Sequence, residues 1–279
     1  MDTIIKKNGY TIQHGEYNDR IYIMKMAEEA GSAVLAEAEK LVETYNYGKL
    51  FAKVPASQST AFEASGFVQE GMIPDYYSSG QDVLFMSKFN DSKRSIDQHL
   101  EENENVLETT FNKTLTPPKE APQGFDVIRA DQDDAVKIAD LYRETFSSYP
   151  FPIYDPEYIK KMMSEDVDYY LIIKGGVLAA VSSAEKDPQT KTSEMTDFAT
   201  KEEFQGNQLA TVLLKEMEKQ LTKENYRIVY TIARSGSIPM NVTFARLGYA
   251  YSGRLVNNTN ISGGIESMNI WYKNLQSTG

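Results

Sequence analysis

A stretch of this chain occurs twice, and the repeat constrains the fold more than any other feature of its 279 residues. EAEKLVETYNYGKLFAKV (37–54) matches EMEKQLTKENYRIVYTIA (216–233) at one constant offset, and FEASGFVQEG (62–71) matches FARLGYAYSG (244–253) after a short insertion. In the second copy Leu209, Val212, Leu213, Met217 and Leu221 recur at helical spacing, the pattern of a helix that buries one face on a sheet. The repeated unit reads as helix-strand-helix-strand, so the chain is expected to hold two α/β halves. Its length lets each bury a core.

The second half is longer. FDVIRA (125–130) reads as a strand, and DQDDAVKIADLYRETF as a helix whose acidic first turn suits the helix dipole. SYPFPIYDPEYIKKMMSED is a stiff proline-containing loop before a short helix. DYYLIIKGGVLAAVSSAEK gives two strands around Gly175 and Gly176, a hairpin signal. TSEMTDFAT is a further strand, MNVTFARL a helix, and YAYSGRLV and ESMNIWYK close an α+β layout. Between the halves lies a polar stretch with Pro117, Pro118 and Pro122, which remove backbone donors and fix φ. The expected organisation is a first domain over 1–90, a linker over 91–123 and a second domain over 124–279.

Composition narrows the chemistry. With no cysteine there are no disulfides, thiolate metal sites or cysteine nucleophile. His14 and His99 both fall in the first hundred residues, so the second half cannot build a histidine triad or a histidine metal cluster, and no metal is expected. A formal charge of -11 argues against nucleic acid and anionic membrane, which reward dense Lys/Arg patches, and suits a small cationic substrate. No apolar run approaches the ~18 residues of a membrane span. The start, MDTIIKKNGYTIQHGEY, carries no signal-peptide pattern, which makes the cytoplasm the expected location.

FQGNQLATVLLKEMEK (204–219) raises a functional question. A strand ending at Thr200, the run Gln205-Gly206-Asn207-Gln208-Leu209-Ala210, and a long amphipathic helix would gather free backbone N–H groups around one point, an anion site by geometry and dipole. An ordinary connection with a polar cap reads equally well from spacing alone. By the repeat's offset the same loop in the first copy falls on MAEEAGS (26–32). Its two adjacent glutamates oppose an anion, so the first copy is expected to have lost ligand binding.

From Phe125 to Lys273 the chain resembles the GNAT superfamily of acyl-CoA N-acyltransferases, whose motif Gln/Arg-x-x-Gly-x-Gly/Ala maps onto Gln205, Gln208 and Ala210. The resemblance implies a mixed, mostly antiparallel central sheet flanked by helices, preceded here by a smaller degenerate GNAT-like domain. It implies acetyl-CoA as cosubstrate, its pyrophosphate held by the amides of Gly206, Asn207, Leu209, Ala210 and Thr211 and its pantetheine arm paired with Phe198, Ala199 and Thr200. Gln208 departs from the motif's glycine, a change expected to be tolerated if its φ is negative. AEKDPQTKTSEMTDFATKEEFQGNQLA, YTIARSGSIPMNVTFARLGY and LVNNTNISGGIESMNIWYK are similar to the β-lysine N-acetyltransferases, which acetylate the ε-amine of β-lysine to make the compatible solute Nε-acetyl-β-lysine.

A lysine-type ammonium with a pKa near ~10.4 must lose a proton before it attacks a thioester, so a carboxylate is required near the acyl group. Glu194 falls where histone acetyltransferases of the superfamily keep their base. Asp197, three residues on, should face away unless a bulge intervenes. The tyrosine that many relatives use to protonate the leaving thiolate is Phe244 here, which leaves Tyr249, Tyr251 or no acid at all. Asn241 is expected to bond the pantetheine arm or cap its helix. For the acceptor, Arg234 and Arg254 are candidates to hold the carboxylate and Asn257, Asn258 and Asn260 to orient the β-amine, unless NNTN is only a turn. Tyr149, Phe151 and Tyr154 are candidate walls. Other acceptors (a small diamine, a polyamine or a protein lysine) and a non-catalytic CoA binder are the competing readings. The first domain is expected to cover the sheet edge or the acceptor mouth, or to form a homodimer surface.

Overall fold

Among the residues that the structure describes, 2–113 and 122–276 with Glu28 by its backbone only, one sheet of 13 strands runs through both copies. The structure is a computed structural model. Pro117 and Pro118 lie outside the described residues.

The first copy comprises β1 (Thr3–Lys7), β2 (Tyr10–Gly15), β3 (Arg20–Met26), α1 (Gly31–Tyr45), β4 (Lys49–Pro55), α2 (Ser59–Ala64), β5 (Val68–Ile73) and β6 (Val83–Phe89). α3 (Leu100–Lys113) follows. The second copy comprises β7 (Asp126–Arg129), α4 (Ala135–Thr145), α5 (Pro156–Ser164), β8 (Val167–Lys174), β9 (Val177–Asp187), β10 (Thr192–Thr200), α6 (Leu209–Lys223), β11 (Ile228–Arg234), α7 (Ile238–Arg246), β12 (Ala250–Ile261) and β13 (Gly264–Asn274). The strand order is β1-β2-β3-β4-β6-β5-β12-β13-β11-β10-β9-β8-β7. Outward from the β5–β12 seam, β6-β4-β3-β2 on one side mirror β13-β11-β10-β9 on the other, each with one parallel pair, β3 with β4 and β10 with β11. The layout is α+β with a mostly antiparallel sheet, as the sequence leads one to expect.

At the seam Gly71 pairs with Gly253, the last residues of the two matching decapeptides. A Cβ on Gly253 (φ 148) would lie 2.0 Å from the Glu70 carbonyl oxygen, and one on Gly71 would lie 2.6 Å from Ile270 Cδ1. Only glycine lets the two backbones approach this closely.

The helices sort by face. α1 buries Val34, Ala38 and Leu41 on the outer side of the first copy, and α6 buries Leu213, Leu214, Met217 and Leu221 on the outer side of the second. A third apolar cluster joins the copies on the inner side, packing Tyr22, Phe51 and Phe85 with Tyr142, Ile159, Tyr230 and Ile270. α4 and α5 close this side, and Asp155 caps α5 by accepting from the Glu157 amide, with Pro156 in the first turn.

The stretch expected to be a linker is largely built into the fold. Arg94 ties it down by pairing with Asp19 at 2.7 Å and donating to the Asn257 carbonyl at 2.9 Å, and α3 packs on α7. NNTN is not a turn: Asn257 (φ 45) stands in β12 within an irregular stretch between Leu255 and Thr259, and the chain reverses at Ser262 and Gly263.

Candidate active site

The geometry of β10 makes the site. Its parallel pairing with β11 covers Thr192–Glu194 against Ile228–Tyr230 and then stops, so the carboxyl-terminal ends of the two strands part. On the other edge the register with β9 shifts between Thr196 and Ala199, where Asp197 takes a left-handed φ of 55. This bulge overrides the period of two, so that Glu194 and Asp197 both line one cavity of about 810 Å³. Glu185, the register partner of Glu194 on β9, lines it too.

The three carboxylates are held differently. Asp197 accepts hydrogen bonds from Tyr149 Oη, from Ser183 Oγ at 2.7 Å and from Thr196 Oγ1 at 3.4 Å, which makes it an anchored acceptor. Burial pushes it above the usual carboxylate range while the hydroxyl donors pull it back. Burial likewise raises Glu194, against the opposing pull of Lys53 and of a hydrogen bond from Tyr230. Glu185 opens to the cavity, yet its depth in the protein, and then the charges of Glu194 and Asp197, push it up to about 8. Nothing in the sequence pointed to Glu185, because its place depends on the strand register.

The first copy supplies the facing wall. Arg20, Tyr22 and Met24 alternate along β3 and line the cavity with Phe51 and Lys53 of β4. Lys53 Nζ donates to Tyr230 Oη at 3.1 Å. Burial disfavours its charge, but the fields of Tyr22, Tyr76 and Glu194 outweigh this and hold the ammonium well above its ordinary range. The pairing registers make Tyr22 and Phe51 the counterparts of Glu194 and Tyr230. Where the second copy has a carboxylate, the first has Tyr22 stacked on Phe51 with ring centroids 4.6 Å apart.

Beyond the parted strands the chain passes through Gly206 (φ 80) and Gln208 (φ 56) into α6. The φ of Gln208 is positive, contrary to expectation, so glutamine stands in the conformation that favours the motif's glycine. Two left-handed residues ahead of a helix turn successive amides toward one side, a cradle that fits a pyrophosphate. The loop and the first turn of α6 hold Gly206, Asn207, Leu209 and Ala210, and the Asn207 side chain braces the loop on the Phe204 carbonyl at 3.0 Å. The Thr211 amide is already spent on the Gln208 carbonyl at 3.0 Å, which corrects its expected role. Ala199 and Thr200 pair with β9 on one edge and have no β11 partner on the other, while Phe198 lines the cavity. In the first copy α1 begins after Ala30 (φ -89), and the Ala27 amide bonds the Gly9 carbonyl at 2.7 Å; no such cradle forms.

Several expected site residues stand elsewhere. Tyr249 is buried outside the cavity, beside Glu218 and under Lys273, rather than at the site where an acid is expected, and burial pushes its hydroxyl well above the usual range. Tyr251, edge-on to Trp271, lies outside the cavity too. Phe244 is fully buried, edge-on to Phe198 at 5.7 Å and to Tyr249 at 5.0 Å. Asn241 spends its whole amide internally: it donates to the carbonyls of Arg234 and Ser237 and accepts from Asn269 and Trp271, locking α7 to β11 and β13. Arg254 pairs with Glu104 at 2.8 Å away from the cavity. Asn257 holds the carbonyls of Arg94 and Ile96, Asn260 that of Tyr17, and the Tyr154 hydroxyl donates to Phe146. Tyr149, Phe151, Arg234 and Asn258 do line the cavity, though Arg234 is bound by both oxygens of Glu266.

A sequence profile described as the Acetyltransferase (GNAT) family matches residues 135–249. Over 273 residues the chain is 42% identical to the beta-lysine N(6)-acetyltransferase of Methanococcus maripaludis, covering 98% of this chain and 99% of that protein. It is 32% identical to the protein of the same name from Methanosarcina mazei, covering 91% and 99%, and 29% identical to the N-acetyltransferase YodP of Bacillus subtilis, covering 97% and 98%. Among solved structures, YncA of Salmonella typhimurium, determined with its cofactor acetyl-CoA, superimposes with a TM-score of 0.50 at 14% identity, covering 56% of this chain and 97% of that one. That likeness concerns the fold.

Proposed function

Because the chain belongs to the GNAT acetyltransferases, and within them to the beta-lysine N(6)-acetyltransferases, we propose that it transfers the acetyl group of acetyl-CoA to the N6 amine of β-lysine. The observation that carries this reading is the meeting, at one cavity, of Glu185, Glu194 and Asp197 with the parted ends of β10 and β11. Acetyl-CoA supplies the acetyl group as a thioester when bound, held by the amides of Gly206, Asn207, Leu209 and Ala210 and by the free edge of Phe198–Thr200.

The residues of the chain do the rest. Glu194 and Asp197 attract the substrate ammonium into the cavity, with Glu185 as a neutral acid beside them. Glu194 takes the proton: its raised affinity brings it closer to that of the amine, which favours transfer, and Tyr230 and Lys53 oppose that rise. Asp197, tied to three hydroxyls, holds the bulge in place. No proton donor stands at Phe244, and the coenzyme A sulfur leaves as a thiolate, the weak base of a thiol with a pKa near ~8.5, to be protonated by solvent.

The acceptor is a small amine, not nucleic acid, and no helix among the described residues is long and apolar enough to cross a membrane. A cytoplasmic location and a homodimer complete the reading; fractionation and light scattering measure them. The test is thiol release from acetyl-CoA with β-lysine, α-lysine and spermidine, with mass spectrometry of the product. Turnover with β-lysine at N6 is expected. Coenzyme A binding without turnover on any amine would favour a non-catalytic binder instead.

A further inference from the structure

Arg20 is 4% exposed and lines the cavity, yet its guanidinium meets only neutral partners. It donates to the Asn258 carbonyl at 2.6 Å, to Thr259 Oγ1 at 3.1 Å and to Gln13 Oε1 at 3.3 Å, and lies 5.1 Å from the Tyr22 ring centroid. Two of these bonds come from one terminal nitrogen and one from the other, so N–H groups remain. Among the described residues no carboxylate is within ion-pair distance. The other lysines and arginines of the cavity wall have acidic partners, except Lys53, which is bound to Tyr230 beside Glu194. Buried charges are normally paired, because an uncompensated one is costly. An arginine left unpaired in a cavity wall is therefore suited to an anion that arrives from solvent.

A second feature lies beside it. Asn258 is 1% exposed and lines the same cavity, and its Oδ1 has no hydrogen-bond partner. The carbonyl of this residue already accepts from Arg20, so a guanidinium and an unused amide oxygen are neighbours.

We infer that Arg20 and Asn258 form the acceptor's recognition pole, Arg20 binding its carboxylate and Asn258 Oδ1 accepting from its 3-ammonium, while the distal amine lies at Glu194. The inference rests on the β-lysine reading and adds what selects that substrate. A chain of contacts links the two poles: Arg20 lies over Tyr22, Lys53 lies 5.8 Å from the same ring, and Lys53 bonds Tyr230, which bonds Glu194. The cavity is thus negative where an amine reacts and positive where an amino acid carries its carboxylate. A polyamine would leave Arg20 without a counterion. The first copy, with Tyr22 where the second has Glu194, thus contributes Arg20 to the acceptor site.

The experiment compares β-lysine with its carboxamide and with 1,4-diaminopentane, which is β-lysine without the carboxylate. Wild-type kcat/KM is expected to fall about 10- to 100-fold on either change, mainly through KM, as for loss of a charged hydrogen bond. In Arg20→Gln the preference for β-lysine should collapse, and Arg20→Lys should restore part of it. A wild type that acetylates β-lysine but treats all three alike overturns the Arg20 assignment, whether or not the variants fold. So does a folded Arg20→Gln that keeps the preference. A wild type that acetylates 1,4-diaminopentane or spermidine but not β-lysine overturns the acceptor reading, and the carboxylate pole with it.

Discussion

Glu185 and Glu194 stand directly opposite each other on β9 and β10, two like charges on one face of the sheet. Such a pair destabilises an antiparallel ladder. Here the cost is linked to protons. The unfolded chain releases the Glu185 proton near its usual 4.5, whereas the folded protein keeps it to about 8. Across that window the folded state binds more protons, so stability should decline as pH rises from 4.5 to 8. Thermal unfolding of the ligand-free protein as a function of pH should show the decline, and Glu185→Gln should flatten it. An identical slope in the variant would refute the assignment.

Activity should run the other way. Glu194 must be ionised to accept a proton, so kcat/KM should rise with pH through a midpoint above the ordinary carboxylate range. Lys53→Met removes the ammonium that pulls this midpoint down and should move the acidic limb to higher pH, whereas Asp197→Asn should move it lower. A limb unmoved by Lys53→Met would show that the group titrating is not Glu194.

Glu194→Gln keeps the shape of the side chain and removes the base. We expect kcat to fall by about 100-fold or more, with little change in the KM for acetyl-CoA. Retention of most of the activity would transfer the role to Glu185, which Glu185→Gln would then reveal.

Gln208→Gly relieves a left-handed side chain at the mouth of α6. The variant should gain stability, by up to about 1 kcal/mol, and bind coenzyme A at least as tightly. Urea unfolding and calorimetric titration check both. Weaker binding would mean that the glutamine side chain itself contacts the cofactor.

Gly253→Ala should be among the most damaging single changes outside the cavity. Its Cβ would collide with the Glu70 carbonyl, and the backbone there suits only glycine. A loss of about 3 kcal/mol or more is expected in urea unfolding. Full stability would mean that the seam between the copies is looser than the pairing implies.

Much of this was legible in the sequence because it is written in local periodicity. The amphipathic α6, the Gly175–Gly176 hairpin and the loop at Gly206 follow from spacings of two to four residues, and the repeat from one constant offset. What escaped depends on register and on tertiary facing. Glu185 gains its role only by lying across from Glu194, and Asp197 turns inward through a bulge that a period of two forbids. Tyr249 and Asn241 sat at the expected distances along the chain, but tertiary packing buries the one beside Glu218 and spends the amide of the other on Arg234, Ser237, Asn269 and Trp271. Arg20 escaped because nothing local distinguishes it from a surface arginine at the start of a strand.

The Gly71–Gly253 pairing has a further consequence, for behaviour in a crowded solution. Taken singly, each half would end in a bare strand, β5 or β12, inviting other chains to pair with it. Joined, they hide these margins against each other, and the sheet's outer limits are β1, which carries Lys6 and Lys7, and the four-residue β7. Charge guards one limit and brevity the other. A protein loosened at the seam should therefore tend to aggregate before it loses its chemistry.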